Sequence, residues 1–228
     1  MVFKPVTHVL FDMDGLLLNT EELYTVLFQN MLSKYGKEYK YDLKLRLMGR
    51  QAHESAKIII TELDLPLTVE QFLAESKKGE KIFQDTKLLP GAQRLIEHLH
   101  QHKVPIALAT SSSEESYHLK VDKHHTELFS LFRYKTFGGS DPNVQLGKPH
   151  PDIFLVTAAK FPDKPDPAKC LVFEDAVNGV NAALAAGMQV VLVPDPQMDR
   201  SFTKEATLVL NSLEEFKPEL FGLPPFDD

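Results

Sequence analysis

Four short stretches place oxygen-rich or cationic side chains at points where the chain has just left an apolar run or turned. The first is Asp12-Met13-Asp14-Gly15, directly after Val9-Leu10-Phe11. The others are Thr110-Ser111-Ser112, Lys148 ahead of Pro149-His150-Pro151-Asp152, and Glu174-Asp175 after Leu171-Val172-Phe173. Asp12, Asp14, Glu174 and Asp175 brought together would repel one another unless a cation sat among them, and an all-oxygen donor set suits hard Mg²⁺. The stretches contain no Cys and their one His lies away from the acids, which argues against zinc.

Each stretch also admits a plainer reading. Two acids and a glycine commonly cap and reverse a chain. Thr110 and Ser111 suit a helix start, Glu174-Asp175 suits a helix dipole, and a lysine is by default solvated.

Elements must converge for any of this chemistry to occur. Apolar, β-branched runs of strand length lie at 6–11, 106–109, 170–173 and 190–193, with weaker ones at 134–137 and 208–210. Helical patterns lie between them at 90–102, 113–124, 152–161 and 177–186, the last closed by Gly187. Strand alternating with helix implies an α/β fold, a Rossmann-like doubly wound parallel sheet whose ligands bind at the carboxyl ends of the strands.

From Thr20 to about Phe83 the strand signal disappears and helical spacing takes over, as in Leu23, Val26, Leu27 and Met31, then Ile58, Ile59 and Leu63. The expected organisation is a core of 1–18 and 88–228 with an inserted α-helical cap domain at 19–87. Two chain crossings join them, so the cap could open and close over the carboxylates. The closing Phe221-Gly222-Leu223-Pro224-Pro225-Phe226 reads as an irregular tail.

The 228 residues are 43% hydrophobic and 25% charged, an ordinary globular composition. No apolar run reaches membrane-helix length, and Asp12 arrives before a signal-peptide core could form. A net charge of −7 disfavours a nucleic acid polymer as partner. The single Cys170 reads as a small buried residue. The expectation is a cytoplasmic monomer that engages no membrane.

The ordered set Asp12-x-Asp14, Thr110-Ser111, Lys148 and Glu174-Asp175 resembles the haloacid-dehalogenase-like superfamily, in the phosphoglycolate-phosphatase and β-phosphoglucomutase branch. The resemblance covers nearly the whole chain. It implies that Asp12 is a nucleophile forming an aspartyl phosphate, and that Asp14 is general acid and then general base. It implies Mg²⁺ held by Asp12, the Asp14 main-chain carbonyl and Asp175, with Glu174 assisting directly or through water. Lys148 would add fixed positive charge, and the Thr110 hydroxyl with the Ser111 N–H would hold a phosphoryl oxygen. Arg50 falls where this branch places its substrate-specificity loop, and either reaches the ligand or stays solvated.

Asp14 is the residue that dehalogenases of this superfamily lack, so a small phosphomonoester is implied as substrate. The mutase branch carries a histidine where this chain has Tyr24, which favours a phosphatase, with a phosphomutase or a non-catalytic binding protein as alternatives. Wider stretches, among them Glu219-Leu220-Phe221-Gly222-Leu223-Pro224, resemble the pseudouridine-5′-phosphatases of animals. That implies pseudouridine 5′-phosphate as substrate, with another nucleotide or sugar phosphate as the alternative. Asn19 stands where the family usually has aspartate and is not expected to touch the metal.

Four histidines invite over-reading. His98 and His102 have zinc-chelating spacing but no evident third ligand, and are expected to be exposed helix residues. His124-His125, surrounded by Lys120, Asp122, Lys123 and Glu127, reads as a solvated helix end.

Overall fold

The computed structural model describes residues 3–227. It contains a six-stranded parallel sheet: β1 (His8–Phe11), β2 (Ile106–Thr110), β3 (Tyr134–Phe137), β4 (Cys170–Glu174), β5 (Gln189–Leu192) and β6 (Leu208–Val209). The strand order is β3-β2-β1-β4-β5-β6, so the winding reverses beside β1. All residues of β1, β2 and β4 are buried, as unbroken apolar runs require in a sheet covered on both faces.

Alternation along the strands feeds two separate cores. Val9, Phe11, Leu108, Leu171 and Phe173 face one side. Leu10, Ala107, Ala109, Val172 and Val190 face the other. The first face is covered by α5 (Ala92–Gln101), α6 (Glu114–Val121) and α7 (Thr126–Ser130), and the second by α8 (Asp152–Ala159) and α9 (Val177–Ala185). Each buried Phe or Leu contributes about 2 kcal/mol of transfer free energy.

Two helix expectations need correction. The helix expected from 90 begins at Ala92, because Gly91 adopts φ +82°, outside helical geometry. The helix expected over 113–124 stops at Val121, and the following residues turn into the separate α7.

The insertion after β1 is helical, as expected. It holds α1 (Glu21–Ser33), α2 (Tyr41–Leu47), α3 (Ala52–Leu63), α4 (Val69–Lys77) and a 3₁₀ turn at Glu80–Asp85. Met31, Leu32, Leu43, Leu47, Ile59 and Phe72 close on one another as a third core made only of insertion residues. Val26, counted on its apolar face, is instead half exposed. Thr68 and Gln71 form a reciprocal capping box that starts α4. The two crossings run side by side, with Asn19 N–H donating to Lys87 O at 2.9 Å.

Beyond Phe221 the tail has no helix or strand, as expected, yet it is packed. Phe216, Phe221 and Leu223 are buried in the first core, and Phe221 stacks on Phe3 at 4.6 Å. Among the described residues no helix is long and apolar enough to cross a membrane.

Candidate active site

Register decides which side chains meet. Phe11 of β1 lies opposite Phe173 of β4, so the residues that follow, Asp12 and Glu174, emerge side by side. Asp12 N–H donates to Phe173 O at 3.0 Å, extending the ladder to that point. Asp12, Glu174 and Asp175 are all buried, and a carboxylate oxygen from each lies within 4.8 Å of the others. Lys148 sits between two of them. Its Nζ donates to Asp12 Oδ1 at 2.5 Å and to Glu174 Oε1 at 2.6 Å, and its side chain has no exposure.

Burial pushes the Asp12 carboxyl up to about 8, with Lys148 pulling the other way and the Glu174 and Asp14 charges adding to the rise. Burial, then the charges of Glu174, Asp12 and Glu21, hold Asp175 well above the carboxylate range. For Lys148 burial opposes the charged form, but Asp12 and Glu174 outweigh it and keep the ammonium protonated.

Once ionised, three buried carboxylates carry more negative charge than one fixed cation offsets. That excess, with donors that are all oxygen, fits a hard divalent ion such as Mg²⁺. Two glycines make the room. Gly15, at φ +78°, would place a Cβ 2.1 Å from Asp175 Oδ2, and Gly179 would place one 1.9 Å from the Glu174 carboxyl carbon. The Glu174 carboxylate is braced from behind, its Oε2 accepting from the Asp175 and Ala176 N–H groups at 3.1 and 3.3 Å.

Asp14 leaves this cluster. Its Oδ1 accepts from Lys120 Nζ at 2.6 Å and its Oδ2 from Ser112 Oγ at 2.8 Å. Burial pushes the Asp14 carboxyl up, but Lys120 and the hydroxyl donors outweigh it and hold the group below its usual value. Lys120 was placed by its charged neighbours on a solvated helix end. It is 1% exposed, because Tyr24 of α1 and Phe83 of the 3₁₀ turn cover it. A lysine in a polar stretch carries no sequence signal of such a cover from the insertion.

Thr110, expected on a phosphoryl oxygen, is fully buried, and its Oγ1 accepts from Ser112 N–H at 3.1 Å while pointing at Asp14 Oδ2 at 3.4 Å. Ser111 Oγ donates to Gly49 O at 2.7 Å, tying the strand end to the insertion. Gln51 Nε2 does the same to Gly138 O at 2.6 Å. Arg50 lies between these ties and donates from Nε to Arg46 O at 2.7 Å. A cavity of about 960 Å³ separates insertion and sheet, lined by Asp12, Asp14, Ser111 and Arg50 together with the rings of Tyr24, Phe28 and Tyr39.

Glu21, at the start of α1, was not singled out by sequence reasoning and lines the same cavity. Burial pushes it up to about 7, against Lys44, which lies 3.9 Å away and also pairs with Asp195 at 3.3 Å. Asn19 points away from the carboxylates, its Nδ2 donating to Glu22 Oε2 at 3.0 Å.

The histidine expectations change. His98 is buried, donating from Nε2 to Pro224 O at 2.9 Å, and Asp227 of the tail brings a third ligand atom within 4.8 Å of His98 and His102. The folded tail, which sequence spacing cannot show, supplies both contacts. His125 donates from Nε2 to Thr86 O at 2.6 Å, so it pins the second crossing of the insertion instead of fraying into solvent.

Residues 6–187 match the model of the haloacid dehalogenase-like hydrolases. A Drosophila melanogaster protein described as a probable pseudouridine-5′-phosphatase is 50% identical over 228 residues, covering 100% of this chain and 98% of its own. The (DL)-glycerol-3-phosphatase 2 of Arabidopsis thaliana is 47% identical over 227 residues, covering 98% of this chain and 94% of its own. The crystal structure of β-phosphoglucomutase from Clostridium difficile shares the fold with a TM-score of 0.77 at 22% identity, covering 94% of each chain.

Proposed function

The chain belongs to the haloacid dehalogenase-like hydrolase family, and from that premise we propose that it is a magnesium-dependent phosphatase acting on a small phosphomonoester through an aspartyl phosphate. The observation that carries this reading is Lys148, whose buried ammonium bridges Asp12 and Glu174 where β1 and β4 end side by side. It is a fixed positive charge beside a carboxylate at the edge of a substrate-sized cavity.

In the first half-reaction an Asp12 oxygen attacks phosphorus and the ester P–O bond breaks. The leaving alkoxide takes a proton from the Asp14 carboxyl. In the second, water attacks the aspartyl phosphate, gives a proton to Asp14, and the Asp12 O–P bond breaks to release inorganic phosphate. Lys120 and Ser112 hold Asp14 as an anion in the arrangement seen, which suits the base role. A phosphate dianion entering the same cavity raises its proton affinity and so favours the acid role.

Asp12, Asp175 and the Asp14 main-chain carbonyl, with Glu174, are the groups that would hold Mg²⁺, which supplies positive charge where two anions must meet. Thr110 and the Ser111 N–H would orient the phosphoryl group, and Arg50 would meet the remainder of the substrate. The insertion at 19–87 acts as a cap over the core of 1–18 and 88–228.

For the substrate we favour pseudouridine 5′-phosphate, on the 50% identical relative and on the cavity. The rings of Tyr24, Phe28 and Tyr39 offer stacking surface that a nucleobase would cover and glycerol 3-phosphate would leave bare. A phosphomutase is disfavoured because Tyr24 occupies the position of the mutase histidine.

The test is phosphate release with and without Mg²⁺ from pseudouridine 5′-phosphate, uridine 5′-phosphate, glycerol 3-phosphate, phosphoglycolate and hexose phosphates. Magnesium-dependent preference for the first supports the full reading. Preference for another ester keeps the mechanism and discards the substrate, and no release from any removes the phosphatase assignment. Asp12→Asn should abolish turnover with the fold intact.

A further inference from the structure

Lys120 is a buried cation beside the acid–base carboxyl, supplied by a helix that none of the four motif stretches includes. Its ammonium has three protons and three oxygen partners: Asp14 Oδ1 at 2.6 Å, Tyr24 Oη at 2.9 Å and Ser112 Oγ at 2.9 Å. Ser112 Oγ in turn donates to Asp14 Oδ2 at 2.8 Å, closing a ring in which both Asp14 oxygens are held. The ammonium also stands 5.0 Å from the Tyr24 ring centroid and 5.2 Å from that of Phe83.

These partners come from two bodies. Asp14 and Ser112 belong to the sheet ends, whereas Tyr24 and Phe83 belong to the insertion, one from its first helix and one from its last turn. From these contacts we infer that Lys120 is a positioning residue, which with Tyr24 fixes where the Asp14 carboxyl stands and links that position to the seating of the insertion. Seated, the insertion covers the ammonium and commits its three protons, so Asp14 has one place to be. With the insertion lifted, Tyr24 and Phe83 leave, water takes their side, and Lys120 holds Asp14 less firmly.

A lysine needed only for stability would be satisfied by any buried carboxylate and would give no reason for the hydroxyl ring around Asp14. The inference rests on the phosphatase reading with Asp14 as acid and base. It adds a dependence that neither the metal cluster nor Lys148 requires, since Lys148 engages Asp12 and Glu174 and Lys120 engages Asp14.

The experiment compares wild type, Lys120→Met, Lys120→Arg and Tyr24→Phe on two esters at saturating Mg²⁺. One is whichever ester of the phosphate-release panel above the wild type hydrolyses fastest, whose alkoxide needs a proton. The other is 4-nitrophenyl phosphate, whose leaving group needs none. Misplacing Asp14 should lower kcat on the alkyl ester about a hundred-fold with KM nearly unchanged, the scale of general acid–base catalysis. On 4-nitrophenyl phosphate Lys120→Met should give a rapid burst of nitrophenolate and then slow turnover, because the aspartyl phosphate forms and waits for its base. Lys120→Arg should recover part of kcat, and Tyr24→Phe should lose a smaller part.

Wild-type kcat on both esters in a folded Lys120→Met protein overturns the inference, as does an equal loss on both with no burst. If Lys120→Met does not fold, Lys120→Arg and Tyr24→Phe decide it by the same criteria, and their wild-type behaviour on both esters overturns it. A wild type that releases phosphate from no ester of that panel and none from 4-nitrophenyl phosphate takes down the phosphatase reading and this inference with it, an outcome distinct from the others.

Discussion

Lys148 Nζ stands 2.5 Å from Asp12 Oδ1, and both side chains are all but sealed from water. The same ammonium is 2.6 Å from Glu174, so removing it leaves two buried carboxylates without their direct cation. Breaking a buried pair from one side costs about 3–5 kcal/mol. Lys148→Met should therefore lower stability by about 3 kcal/mol in chelator, reduce kcat by more than about a hundred-fold, and gain more thermal stability from added Mg²⁺ than the wild type does. A variant of unchanged stability in chelating buffer would show that the three carboxylates do not depend on Lys148.

Metal binding should release protons. Asp12 is held up to about 8 and Asp175 is held well up, chiefly by burial, so at neutral pH the metal-free cluster carries protons that a divalent cation must displace. Because the deprotonated form binds the cation, apparent Mg²⁺ affinity should rise as pH increases from 6 through about 8 and level off only above that. Calorimetric titrations in two buffers of different ionisation enthalpy measure the proton count directly. Equal heats in both would remove the protonated cluster.

How much of this was legible beforehand follows from where the information sits. The strands were readable because β1, β2 and β4 are buried on both faces and so carry unbroken apolar runs. Asp12 and Glu174 were readable because an acid cannot continue such a run. The parallel direction of the sheet followed from the same physics, since strands joined through helices lie parallel, whereas the order β3-β2-β1-β4-β5-β6 came only with the structure. Lys120 was not readable, because its burial is made by Tyr24, 96 residues earlier, and by Phe83, and nothing in its own neighbourhood reports them. The packing of the tail was hidden likewise, as Phe221 is apolar in a stretch of Gly and Pro and only the open sheet face explains its burial.

Cys170, fully buried in β4, is pushed up to about 12 by burial, with Asp166 and Asp163 adding to the shift. At pH 8 almost none is thiolate, whereas an ordinary thiol is partly ionised there. A disulfide reagent should react with the native protein at least about a thousand-fold more slowly than with protein in denaturant. The sign for stability is equally clear. The folded thiol keeps its proton above the unfolded value, so its contribution is full below that value and is lost as pH rises towards 12. Fast native-state labelling at pH 8 would contradict the burial.

Asn19→Asp restores the acid usual in the family at a position whose side chain donates to Glu22. The change replaces a hydrogen bond with a like-charge pair at a partly solvated site, a cost of less than about 1 kcal/mol. It touches none of Asp12, Glu174 or Asp175, so kcat and the Mg²⁺ midpoint should stay within about two-fold. A native protein without activity that the substitution rescues would place Asn19 in the machinery after all.

Gly179→Ala sets two effects of opposite sign against each other. Gly179 lies inside α9, where alanine in place of glycine ordinarily stabilises a helix by about 1 kcal/mol. Here the added Cβ would lie 1.9 Å from the Glu174 carboxyl carbon and 2.0 Å from its Oε1. Glu174 has no exposed surface to retreat into, and its Oε1 is held by Lys148 at 2.6 Å and its Oε2 by two backbone N–H groups. Overpacking of that kind costs about 1–3 kcal/mol and moves the side chain that is struck. The steric term should win, giving a less stable protein with weaker Mg²⁺ binding and a kcat at least about ten-fold lower. Thermal unfolding read beside a metal titration decides it, and an unfolding temperature above wild type with unchanged metal affinity would mean that Glu174 is not seated against α9.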